Sequence, residues 1–562
     1  MLRRPTVRIA ARGTAAMSAR TVPILPCPES AAIAFTPSAT GHPLEAPRIT
    51  NISPTTHKHL TIAASHLRAS RLVAFPTETV YGLGANTLDP SATAKVYALK
   101  GRPSDNPLIV HVSSLRMLRS LIPQDDQRIS DLYLALIDAF WPGPLTLLFP
   151  ARNPPRPPPA PQTIGIRLPS HPLARALITT ADLPISAPSA NSSGRPSPTS
   201  AAHVFADLGR KGAEPVLGSR GEVLDEMGML GCILDAGPCD VGVESTVVDG
   251  TQWSTHRTAT RVLKVLRPGG VGVEQIEKVV AAVDDNLGFS GTDRTTVWVY
   301  GRDPPMDSSP ATTTPPVIHS PRPQTTASSI TRQPEIHNPS TPGMKYKHYS
   351  PSIPVYLLYP TNTFPANPLQ HSDAAKPDKL EEVWKHIADQ LVAVRADSTT
   401  ADPQSRRSLR FGLMAFDDSP LLSALANDGN AIACKHGKDT VEIRTEMKSL
   451  GRTEDDAARA LFRDMLAFEG SPSDARPVVV GNPAPSAEPT SSQSRSHAQS
   501  AIESSSGVDA IIIEACSETG VGLAVMERVN KAVGGGGTGE GLGIGGTSGQ
   551  QKRFWVDAGR KL

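Results

Sequence analysis

Three polar clusters and two further arginines hold the residue types able to do chemistry in this chain. The first cluster is Pro76-Thr77-Glu78-Thr79-Val80-Tyr81-Gly82-Leu83-Gly84, where two threonine hydroxyls stand beside a backbone turned by glycines. The second is Lys100-Gly101-Arg102-Pro103, followed by Asp105-Asn106-Pro107 and His111. Two cations spaced two residues apart in extended chain can aim both heads the same way. Lysine then offers a point charge and arginine a planar fork, a pairing suited to a polyphosphate. The third is Ser186-Ala187-Pro188-Ser189-Ala190-Asn191, with Ser197 beyond it, a run of small residues presenting hydroxyl and amide groups. Arg167 closes an apolar stretch, and Arg267-Pro268-Gly269-Gly270 places another cation in a turn. Taken singly, a Lys-x-Arg pair is ordinary solvated surface and a Ser-x-Asn run an ordinary turn. The case for a site rests on their falling together.

The elements that must position these clusters are legible from caps and periodicity. Ser53-Pro54 opens a helix with Leu60, Ala63, Ala64 and Leu67 on one face. Leu72–Phe75 reads as a buried strand stopped by Pro76, and Asp89-Pro90 starts a helix that runs to Lys100, where Gly101 and Pro103 end it. Strands are expected at Leu108–Val112, Leu145–Phe149, Ile164–Leu168 and Glu244–Val248, with helices at Ser130–Phe140 and Pro172–Thr179 between them. The alternation predicts an α/β domain with a largely buried sheet. A second α/β stretch follows, with strands at Pro354–Leu358, Leu409–Ala415 and Ala510–Glu514 and helices at Lys379–Arg395, Glu454–Phe468 and Gly522–Ala532.

Composition explains the spacing between these blocks. The chain has 54 prolines in 562 residues, against a usual ~5%. Six fall within 154–161 and ten within 304–342, tracts that cannot bury enough apolar surface to offset their ordering entropy. Residues 483–506 are serine-rich, and 534–549 hold ten glycines. The glycines of Gly541–Gly546 fit a GxGxxG pattern, but neither a strand before nor a helix after accompanies them, so a dinucleotide fingerprint is rejected. Gly437-Lys438 is followed by Asp439, which rules out a P-loop. A net charge of +2 implies no global field for polyanions. Five scattered cysteines (27, 232, 239, 434 and 516) form no CxxC pair, against both a disulfide framework and a cysteine zinc site. No run approaches the ~20 apolar residues of a membrane span. These features lead us to expect a soluble intracellular protein. The first acid is Glu29, after Arg3, Arg4, Arg8, Arg12 and Arg20, a presequence-like composition.

Together the motifs resemble a known family. The runs PTETVYGLGAN, KGRPSDNPLIVHV, WPGPLT, IGIRLPSHP, SAPSANSSGRPSPT, GVESTVVD and LRPG are similar to threonylcarbamoyl-AMP synthase and stand in the family's order over about 220 residues. Pro342-Gly343-Met344-Lys345-Tyr346-Lys347-His348-Tyr349-Ser350-Pro351 resembles the linker of its long, two-domain form. The resemblance implies a YrdC-like α/β domain, a twisted mixed sheet with flanking helices, plus a smaller Rossmann-like domain. The expected layout is a disordered tail over 1–48 with a presequence-like start, a catalytic domain over 49–275, a partly disordered linker over 276–352 ending in a lid, and the second domain over 353–562.

The implied reaction joins L-threonine, bicarbonate and ATP into threonylcarbamoyl-adenylate and releases pyrophosphate, for later use by a separate transferase on tRNA adenosine 37. By the family pattern, Thr79, His111, Arg167 and Ser245 hold threonine. Lys100, Arg102, Asn106, Thr163, Ser189, Asn191, Ser197, Arg267 and Tyr349 surround ATP as substrate, with Mg2+ on its phosphates. Lys100 and Arg102 are the expected catalytic cations, and positioning and charge neutralisation do most of the work. The competing reading is an RNA-binding module of the same fold, weakened by near-neutral charge and few stacking aromatics; weak RNA binding remains an expectation. Carbamoyl transfer in metallocofactor maturation predicts zinc-finger cysteines and an acylphosphatase-like region, and neither is found in the sequence. The expected location is the cytoplasm, with a mitochondrial pool through alternative starts at Met1 and Met17.

Overall fold

Helix caps set the first elements, as their sequences predict. In the computed structural model, Pro54–Arg68 is a helix whose cap, Ser53, accepts a hydrogen bond from the Thr56 amide, with proline in its first turn. Pro90–Lys100 is capped by Asp89, which accepts from the Ser91 amide at 2.8 Å. It stops at Gly101, whose φ of 60° is left-handed backbone that glycine adopts freely. The structure describes residues 21–123, 129–152, 162–217, 223–225, 228–256, 261–302, 349–365, 368–369, 376–396, 408–426, 431–436, 439–470, 507–534 and 552–557. The proline tracts 154–161 and 304–342, the start of the chain to residue 20, the linker to His348 and the Gly541–Gly546 run lie outside them.

Among the described residues the first sheet has eleven strands. Their order is Ile24–Pro26, Leu230–Asp235, Leu72–Phe75, Gly82–Asn86, Ile185–Ser186, Val110–His111, Thr163–Arg167, Leu145–Pro150, Thr246–Asp249, Val262–Arg267 and Thr296–Val299. Parallel and antiparallel pairs alternate without a fixed rule, so the sheet is mixed. Its centre is made of two strands of only two residues each, Ile185–Ser186 and Val110–His111. There the chain leaves the ladder almost at once, and polar loops rather than strands line the middle of the sheet. Apolar cores close both sides, one under helices Pro54–Arg68 and Pro172–Ala181, another under Asp131–Phe140 and Val273–Leu287.

Two expected boundaries move. Residues 21–48 are not a disordered tail: Ile24–Pro26 pairs in parallel with Leu230–Asp235, Ile24 opposite Ile233, and buried Val22 and Cys27 join the core. A three-residue strand has too little pattern of its own to be seen, and its register comes from the partner. The first domain also runs past 275. Helix Val273–Leu287 packs on it, and Thr296–Val299 adds the edge strand, Val262 opposite Thr296.

The second domain has a seven-stranded sheet among the described residues, ordered Asp378–Lys379, Arg553–Asp557, Val355–Pro360, Ala510–Glu514, Ser408–Ala415, Asp439–Ser449 and Ala431–His436. All pairs are parallel except the last. Helices Glu454–Phe468 and Gly522–Val533 cover one face, and Leu380–Ala396 and Pro420–Ala426 the other. This doubly wound arrangement is the expected Rossmann-like domain. Its core is not closed on itself. Val80 and Val243 of the first domain, with Tyr349 of the linker, pack into the same cluster as Leu461, Phe462 and Val529.

Candidate active site

The cleft opens over the short-stranded centre of the first sheet and is lined by Thr79, Arg102, His111, Arg167, Ser189, Ser245, Arg267 and Tyr349, together with Thr77 and Glu244. On one side, the loop after Leu72–Phe75 folds round its own hydroxyls. Thr77 Oγ1 donates to the Val80 carbonyl at 2.7 Å and lies 2.8 Å from Thr79 Oγ1. Register places Arg167 opposite His111 on neighbouring parallel strands. The Arg167 Nη1 group donates to Thr79 Oγ1 at 2.9 Å, Nε donates to the Gly143 carbonyl at 3.2 Å, and Nη2 is ion-paired with Glu78. Three partners on three nitrogens fix the guanidinium plane while leaving further N–H groups for a ligand. Burial lowers the His111 pKa to about 3, with the Arg167 charge adding to the effect, so His111 is neutral at any physiological pH. Its Nδ1 is buried without a partner.

The other side is assembled from a turn, the linker and the second domain. Gly269 allows the Arg267 turn to lie against the backbone of Ser245, where a Cβ would meet the Ser245 carbonyl carbon at 2.3 Å. Arg267 donates to the Ser245 carbonyl through Nε (3.1 Å) and Nη2 (2.8 Å), and to its hydroxyl at 3.2 Å. Tyr349, with φ 63°, stacks on Phe462 with ring centroids 5.4 Å apart. Burial raises its phenol pKa, so it stays protonated. Burial pushes the Glu244 carboxyl up, but the Arg528 and Arg267 guanidiniums and the Ser197 hydroxyl outweigh that and hold it below its ordinary range.

Eight of the thirteen expected residues therefore meet in one cleft. Three more, Lys100, Asn106 and Ser197, stand directly behind its wall. Lys100, the last residue of its helix, is 3% exposed and donates through Nζ to the carbonyls of Ser189 and Asn191. Burial, then the Arg102 charge, lowers its pKa well below the usual lysine range. Arg102 donates to the carbonyls of Asn106 (3.2 Å) and Pro107 (2.9 Å), and burial lowers its pKa to about 10. Asn106 is buried with both amide atoms unpartnered. Ser197 donates to Glu244. Asn191 faces a smaller neighbouring cavity with Arg195, His203 and Asp207. Thr163 is not brought to the cleft. It begins the strand that Arg167 ends, four residues or ~13 Å away, pairing with Pro150.

Sequence reasoning missed Glu78, Glu244 and Arg528. The two acids lie inside the motif runs PTETVYG and GVESTVVD, so an unpaired carboxylate beside expected cations was the available signal. Arg528 gave none, being 284 residues from Glu244.

A buried cleft walled by three arginines and several hydroxyls fits an enzyme that binds and neutralises anionic substrates. The comparisons with known proteins narrow that class. Residues 65–269 match the family model described as telomere recombination, and residues 271–488 that of the threonylcarbamoyl-AMP synthase C-terminal domain. The threonylcarbamoyl-AMP synthase of Pyrococcus abyssi is 37% identical over 307 residues, 53% of this chain and 67% of the relative. That of Schizosaccharomyces pombe is 37% identical over 339 residues, 56% of this chain and 68% of the relative. A crystal structure of P. abyssi Sua5 complexed with L-threonine aligns with a TM-score of 0.48 at 28% identity, covering 87% of this chain and 96% of that one. The chain belongs to the threonylcarbamoyl-AMP synthase family, and its two-domain organisation is that of the long form.

Proposed function

We propose that this chain makes threonylcarbamoyl-adenylate from L-threonine, bicarbonate and ATP, releasing pyrophosphate and water, in the cleft described above. The observation that carries the reading is the triple-arginine wall of Arg102, Arg167 and Arg267 around hydroxyl groups. Arg167, already oriented by Thr79 and Gly143, is the group for the threonine carboxylate. Neutral His111, with Nδ1 lacking a partner, suits the amino acid's polar substituents, beside the hydroxyls of Thr79 and Ser245.

In this scheme the threonine amine takes up CO2 from bicarbonate as a carbamate. A carbamate oxygen then attacks the ATP α-phosphorus in line, and the bond to the leaving pyrophosphate breaks. Arg102 and Arg267 offset the charge that develops on the α-phosphate and pyrophosphate. Lys100 holds the Ser189–Asn191 segment that forms the adjoining wall. The unpartnered amide of Asn106 supports a nucleotide contact there, since a buried amide without hydrogen bonds is costly until a ligand supplies them. Tyr349 lies over this side as a lid that keeps water from a hydrolysable product.

Magnesium enters with the nucleotide as part of the substrate. No group of three or more metal-ligating side chains occurs among the described residues, and the cleft's carboxylate, Glu244, is engaged by Arg528 and Ser197. The product goes to a separate transferase that modifies tRNA adenosine 37, with RNA at most weakly bound by this chain. No helix among the described residues is long and apolar enough to cross a membrane. The basic, acid-free start supports a mitochondrial pool beside a cytoplasmic one, and tagged chains begun at Met1 and at Met17 test it by their location.

The decisive assay is pyrophosphate release from ATP. Release needs both threonine and bicarbonate and no RNA. An obligatory RNA, or serine serving as well as threonine, ends the synthase reading.

A further inference from the structure

The cleft's carboxylate is neutralised from outside its own domain. Arg528, on helix Gly522–Val533 of the second domain, is 0% exposed. Its Nε and Nη2 both lie 3.1 Å from Glu244 Oε2. Its Nη1 donates at 2.6 Å to the carbonyl of Pro268, the residue after Arg267. Its guanidinium carbon sits 5.4 Å from the centre of the Tyr349 ring. Glu527 and the Ala524 carbonyl, on the same helix, complete its contacts. One buried side chain thus touches three pieces of the nucleotide side: the Glu244–Ser197 pair, the turn that carries Arg267, and the lid residue.

We propose that Arg528 is a positioning residue for the synthase reaction, setting the nucleotide side of the cleft from the second domain. It rests on the reading that ATP occupies that side. The physical need is plain. A bare carboxylate on the wall of a triphosphate site repels the substrate and competes with it for Arg267. Arg528 removes both problems by donating to Glu244 through Nε, with Nη2 at ion-pair distance from the same oxygen, and by pinning the Pro268 turn through Nη1, so that Arg267 keeps its bonds to Ser245. Among the described residues no hydrogen bond or ion pair joins Arg528 to Thr79, His111 or Arg167, and the threonine side meets the Arg267 turn at Ser245 alone.

The test is steady-state kinetics on the full chain with ATP and threonine varied separately, alongside thermal melting. In Arg528→Met the KM for ATP rises about tenfold or more, as expected for breaking a buried charge pair, while the threonine KM stays within about threefold. Arg528→Lys, which keeps the charge but cannot donate to Glu244 and to the Pro268 carbonyl from two fixed nitrogens, falls between. Adding Glu244→Gln to Arg528→Met recovers most of the ATP affinity, because the stranded carboxylate is gone. A merely structural arginine would lower the melting temperature and leave both KM values alone. That result overturns the proposal, as does a threonine KM that moves with ATP unchanged, or a double variant no better than the single one. Arg267→Met guards the underlying reading: if it leaves the ATP KM unchanged, the nucleotide side is misassigned whatever Arg528 does.

Discussion

The two sides of the cleft are built in opposite ways. The side proposed for threonine is local to one sheet: His111 and Arg167 face each other by strand register, and Thr77, Glu78 and Thr79 come from one loop. The side proposed for the nucleotide is a junction, where Arg267, Glu244, Tyr349 and Arg528 arrive from a turn, a second loop, the linker and another domain. A wall fixed by register can be weakened only by removing its residues. A wall fixed by assembly can also be weakened from a distance, by anything that changes how the domains meet.

The largest effect that separates the two sides should come from Arg167→Met. It strands Glu78 in the interior, and breaking such a buried pair costs about 3–5 kcal/mol. The threonine KM should rise about a hundredfold with ATP far less affected; equal losses for both substrates would erase the distinction between the sides. Next comes Lys100→Ala, which removes the donor to Ser189 and Asn191. Turnover should fall by about tenfold to a hundredfold through the misplaced wall, with folding retained by circular dichroism; full activity would remove Lys100 from the machinery. Gly242→Ala acts at the seam, since a Cβ there would meet the Ala458 carbonyl oxygen at 2.3 Å and the φ is +79°. About 1–3 kcal/mol of stability should be lost, and the ATP KM should move more than the threonine KM.

The smallest effect is a pH dependence that comes from His111. The His111 pKa is lowered to about 3 in the folded chain, against 6.5 in the unfolded one. The unfolded state therefore binds the extra proton first, and stability falls as pH drops below 6.5. At pH 5.5 the loss is about 1.4 kcal/mol from this residue. His111→Gln should flatten the stability–pH curve between 6.5 and 5 in chemical denaturation, and an unchanged slope would contradict the assignment.

What could be read in the sequence follows the same division. Ser53, Asp89 and Gly101 announce their helix ends because a cap acts on its own neighbours. That Thr79, His111 and Arg167 meet in one cleft was legible for the same reason: they sit in short motifs at strand ends. Ile24–Pro26 was not, since three residues carry no period and their place is set by Leu230–Asp235. Strands Asp439–Ser449 and Arg553–Asp557 were likewise unseen, one in a charged stretch and one beyond the glycine tract. Glu78 and Glu244 were visible as acids but not as partners. Arg528 was beyond reach, because only the docking of two domains brings it to Glu244.

The domain seam has a consequence for anyone who would exchange its halves. At Gly242 the chain lies against the backbone of Ala458 and Arg459, and Gly272 lies close to Gly520. Main chain meets main chain there, without side chains to absorb a misfit. A chimera carrying another relative's second half would have to reproduce a path in space, to within the width of a methyl group, before matching any surface chemistry. The glycines act as a gauge for compatible partners.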